Sequence, residues 1–190
     1  MKSNTRTPPT QPKLEASTDL LFGVMSSCFA YFLWWTQVRP LLENADLLDR
    51  EIVIQMQSNA VVEGTLLSIR KVNDFFRPSA GSKEMEDDVF SYDFRGFKAT
   101  GKFLHPDNFS ELHKRVGHIT LREIRHGKVS WEMHRAVVAA ATKYIEFAQF
   151  LQNEFFAQNE TRKHHAADCE RVVRRFLSEM EMAKEGEERA

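Results

Sequence analysis

The stretch DLLDREIVIQMQSNAVVEGTLLSIRKVNDFF, residues 46–76, decides the predicted fold. It contains no proline, and as one α-helix it would be about 46 Å long. Its apolar residues recur at helical spacing in two adjacent stripes. One stripe consists of Leu48, Ile52, Val62, Leu66, Ile69 and Phe76, and the other of Val53, Met56, Ala60 and Leu67. An apolar face that wide predicts a helix contacted by several neighbours.

The composition of the whole chain is that of a globular protein of one domain. Among 190 residues, 42% are hydrophobic, which supplies enough apolar material for a core. Only 8 Gly and 6 Pro occur, which disfavours an all-β domain with its frequent turns. The net charge of −1 provides no overall field for RNA, DNA or an acidic membrane, so any such binding would need a local patch.

Four further helices are predicted around residues 46–76. The first extends from about Ser17 to Gln37 and should stop before Pro40. The others span residues 107–119, 130–156 and 160–184. The sequence therefore predicts an all-α fold, a helical bundle of about five helices.

A long connection, residues 77–106, separates the second predicted helix from the third. It is acidic at its start and rich in aromatic residues throughout. A connection of that length is unusual in a compact domain, and its aromatic residues predict that it packs onto the bundle.

The ends of the chain differ in composition from its middle. Residues 1–13 are polar and Pro-rich and are predicted to be a disordered leader, and residues 185–190 a frayed tail. The bundle would occupy residues 14–184. Cys28 and Cys169 lie far apart in unlike contexts, which is typical of reduced thiols in a cytoplasmic protein.

Residues 20–38, LLFGVMSSCFAYFLWWTQV, carry no charge and are long enough to span a bilayer. Two Ser, a Thr and a Gln dilute their hydropathy, and no second such run follows. We expect a core helix here, with a single membrane span as the alternative.

No known catalytic or cofactor-binding motif occurs in the sequence. The seven His form no HExxH or Cys-paired pattern, and neither a phosphate-binding loop nor a GxSxG motif is present. We therefore expect no metal site and no cofactor.

A polar cluster is predicted where the second helix meets the third. Arg70 and Asp74 are four residues apart on one helix face, and His118 lies in the stretch KRVGHIT, where a glycine permits close approach. If these side chains met in a cleft, His118 would be an acid or base and Arg70 a phosphate ligand. The alternative is a polar clamp that fixes helix packing, which we favour because ion-pair networks often resemble sites.

The surrounding stretch, KRVGHITLREIRHGKVSW (residues 114–131), is strongly basic. The candidate phosphate-binding residues are Lys114, Arg115, Arg122 and Arg125. The stretch lacks the interleaved aromatic residues that stack nucleic-acid bases, so a solvated corner is the favoured interpretation, and RNA binding has little support.

The segments IRKVNDFF and LHKRVGHIT, followed by Trp131, resemble a pattern in uncharacterised bacterial all-helical proteins that are distantly similar to HEPN helical bundles. HEPN bundles include RNases of toxin and phage-defence systems, so the resemblance implies RNA cleavage. HEPN nucleases carry Arg followed by His after four to six residues, and no Arg here has His at that spacing. No catalytic residue is therefore carried over.

These observations favour a cytoplasmic, non-catalytic interaction or structural module, with a homodimer or a protein partner bound through the long helices. The alternatives are an HEPN-like RNase or nucleotide-handling enzyme, and a single-span membrane protein.

Overall fold

The computed structural model describes residues 7–45, 49–76, 88–98 and 133–189, with side chains described up to residue 182. These residues form four long helical segments and no strand, which confirms the all-α prediction. The third predicted helix, residues 107–119, lies outside the described residues.

The first helical segment is longer than predicted at both ends. It comprises α1 (Gln11–Cys28), α2 (Ala30–Leu33), a π-helical turn (Trp34–Val38) and α3 (Arg39–Glu43). It therefore starts within the predicted leader. The prediction that it stops before Pro40 is wrong, because the wide π turn places Pro40 in the first turn of α3, where a missing N–H is tolerated.

The second segment, α4 (Arg50–Phe75), follows Asp49, whose left-handed backbone (φ 55°) separates it from the first. Only its second half is deeply buried. Leu66, Ile69 and Phe76 of the first predicted stripe lie in the core, whereas Ile52 is 59% exposed. The first helical segment and the helix Met133–Phe150 contact α4, as predicted, but Ile52 of one stripe and Met56 and Leu67 of the other are exposed.

The last two segments form a second helical hairpin. α5 (Met133–Phe150) ends in a π-helical turn (Leu151–Phe155), and α6 (Glu160–Arg189) packs along it. α6 continues past Lys184, so residues predicted to fray are helical up to Arg189. In α6 the side chains of Cys169, Val173 and Met180 are buried, whereas Val172 is 40% exposed.

The two hairpins pack together through aromatic side chains. Near one end of the bundle the ring of Phe29, which lies between α1 and α2, stacks on the ring of Phe176 of α6, with centroids 4.9 Å apart. Near the other end Phe75 of α4 meets Phe147 of α5 at 5.1 Å. The core therefore lies between α1 and the second half of α4 on one side and α5 and α6 on the other.

The described part of the long connection, residues 88–98, packs onto this core. Phe90 and Phe94 are buried, and Phe97 is partly buried against Phe147 and Phe150. A short 3₁₀ turn at Ser91–Asp93 holds them, because the Asp93 carboxylate accepts the Phe90 backbone N–H at 2.7 Å. The prediction that the aromatic residues of the connection pack down is confirmed for these three.

Candidate functional site

The predicted polar cluster is described only in part. Arg70 Nε lies 3.8 Å from Asp74 Oδ2, and each side chain is about one third exposed. His118 lies outside the described residues, as do the phosphate-binding candidates Lys114, Arg115, Arg122 and Arg125. An ion pair four residues apart is an ordinary feature of a helix surface, so this pair alone indicates no catalytic role.

A different polar cluster lies where α1, α5 and α6 meet. Arg162 Nη1 donates to both carboxylate oxygens of Asp19, at 3.0 and 2.9 Å. His165 Nε2 lies 3.2 Å from Asp19 Oδ1 and 3.7 Å from Cys169 Sγ. Tyr144 of α5 belongs to the same group, because Cys169 and Tyr144 influence each other's pKa. These five side chains are the Asp19 cluster.

The order Asp–His–Cys in the Asp19 cluster suggests a catalytic triad, but the atoms do not fit one. In a triad the carboxylate holds one ring nitrogen while the other takes the proton of the nucleophile. Here both neighbours approach the same nitrogen, His165 Nε2. That nitrogen can either donate to Asp19 or accept from Cys169, so it cannot relay a proton between them.

The protonation of Cys169 also argues against a nucleophile. Burial raises the pKa of the Cys169 thiol, and the influence of Tyr144 offsets this only in part. Burial, followed by the influence of Cys169, likewise raises the pKa of Tyr144. Both groups are therefore neutral near pH 7, whereas a reactive cysteine requires a lowered pKa. The cluster is a polar contact that joins three helices.

The described residues contain no group of three or more His, Cys, Asp or Glu side chains that could hold a metal ion. In the Asp19 cluster Arg162 Nη1 donates to both oxygens of the carboxylate, so the one carboxylate of the cluster is already paired with a cation.

Sequence reasoning could have found part of the Asp19 cluster. His165 and Cys169 are four apart in HHAADC and must share one face of α6. Asp19 and Arg162 are separated by 143 residues, so their pairing depends on the tertiary fold.

The exposed apolar side chains of α4 lie on the helix face opposite the one that packs against the first helical segment. Helical spacing places Val53, Met56, Ala60, Gly64 and Leu67 on one narrow stripe, here called the α4 seam. Met56 is 67% exposed and Leu67 39%, and a Cβ added at Gly64 would meet no atom within 4 Å. Ile52, beside the seam, is 59% exposed. The seam carries no charge, which is unusual for a helix face in contact with water.

Among the described residues one helical run, Gln11–Glu43, is long and apolar enough to cross a membrane by length and composition. The same run packs against α4, and the Trp34 indole N–H donates to Ser58 Oγ at 3.0 Å. Met25, Cys28 and Trp34 of this run are buried. The core helix of a globular protein can have the same length and hydropathy, so these two properties do not distinguish a core helix from a membrane span.

Comparison of the chain with protein-family models, with curated protein sequences and with solved structures gives no match, so the assignment of function depends on the fold and on these sites.

Proposed function

We propose that the chain is a non-catalytic helical interaction module of the cytoplasm, and that the α4 seam is its docking surface. The observation that carries this proposal is the exposure of Met56, Leu67 and the neighbouring Ile52 on one face of a long, regular helix. The free thiols of Cys28 and Cys169 support a reducing compartment.

The energetics of the α4 seam favour a helical partner. Complete burial of a Met, Leu or Ile side chain stabilises a complex by about 1.5–3 kcal/mol. Ala60 and Gly64 present little side chain between Met56 and Leu67, so a second helix could approach the backbone closely there. Helices that bind a groove or another helix commonly do so through a narrow apolar stripe with anchor residues three or four positions apart, and the α4 seam has this spacing.

The described polar side chains support a non-catalytic role more than an enzymatic one. The Asp19 cluster lacks the arrangement of a proton relay, and Arg70 and Asp74 form an ordinary pair on the helix surface. Similarity to HEPN nucleases remains a prediction from the segments IRKVNDFF and LHKRVGHIT. Cleavage of RNA by the purified protein would contradict the non-catalytic part of the proposal.

The proposal requires that the α4 seam is free surface in the isolated chain. Met56→Lys and Leu67→Lys should each change the free energy of unfolding, measured by urea titration, by no more than about 0.5 kcal/mol. The matched control on the same helix is Ile69→Ala, which is 1% exposed and should lose about 2–5 kcal/mol.

If the two Lys variants lose as much stability as Ile69→Ala, the chain itself covers the seam. The surface then belongs to the core of the protein, and the proposed docking function is wrong.

A further inference from the structure

We draw no further inference here: the strongest candidate, the exposed apolar face of α4 that includes Met56 and Leu67, carries nothing beyond the function proposed above, because nothing in the structure shows what covers it.

Discussion

Replacement of Phe94 by Ala would test whether residues 88–98 of the long connection are part of the core. The Phe94 side chain is fully buried although it lies outside the long helices. Its ring centroid is 4.9 Å from that of Phe147, 5.0 Å from that of Phe155 and 6.1 Å from that of Phe75. Phe94 thus joins the connection to α4, to α5 and to the π turn that follows α5.

The expected loss follows from these contacts. Truncation of a buried Phe to Ala typically costs about 3–5 kcal/mol, through lost transfer free energy and the cavity that remains. Edge-to-face aromatic pairs contribute about 0.5–1.5 kcal/mol beyond area burial, and Phe94 makes three of them. Phe94→Ala should therefore lie near the upper end of that range. For a chain of this size, the midpoint of thermal unfolding should fall by roughly 6–20 °C.

The assay is thermal and urea unfolding followed by far-UV circular dichroism, with Leu41→Ala as control. Leu41 is 71% exposed, so its truncation should change the unfolding free energy by no more than about 0.5 kcal/mol. A loss below about 1 kcal/mol for Phe94→Ala would refute the reasoning. The connection would then lie on the bundle without contributing to its stability.

Two further predictions concern titration and the predicted polar cluster. Burial raises the pKa of the Cys28 thiol from 9.0 to about 12. The unfolded chain therefore loses this proton before the folded chain does. The contribution of Cys28 to stability should be constant below about pH 9 and fall by about 1.4 kcal/mol per pH unit between 9 and 12, in addition to the losses that the raised pKa values of Cys169 and Tyr144 cause. Urea titrations across this range should show a shallower fall for Cys28→Ala, and an equal fall would contradict the assignment to Cys28. Arg70→Ala should lower the free energy of unfolding by less than about 1 kcal/mol, because the Arg70–Asp74 pair is one third exposed. A loss of several kcal/mol in the same urea titration would instead indicate a buried polar clamp.

The helical class was predictable because the patterns that predict it are local. The helical spacing of apolar residues within 46–76 and within 160–184 predicts helices without reference to any other part of the chain. The boundaries were less predictable, as Pro40 illustrates. Proline usually ends a helix, but the π turn before it supplies an extra residue, and the chain continues to Glu43. No pattern in the sequence predicts that turn.

The candidate sites were less predictable than the helices, because they depend on contacts between distant residues. Arg70 and Asp74 were found because four residues separate them. The pairing of Asp19 with Arg162 could not be found, since nothing local to either residue specifies the other. Cys169 was predicted only to be a reduced thiol, so neither its contact with His165 nor the rise that burial causes in its pKa was predicted.

The two apolar stripes of α4 show why a sequence pattern alone cannot distinguish a core from a docking surface. Leu66 and Leu67 are adjacent in sequence and identical in chemistry, yet one is 5% exposed and the other 39%. The difference arises because α1 and α5 pack on one side of α4 and leave the side of Leu67 without a described neighbour. Burial requires a second surface within reach, and a helix that is apolar on two sides needs two such surfaces. The chain provides one of them in the described residues, and under the proposed function a helical partner would provide the other.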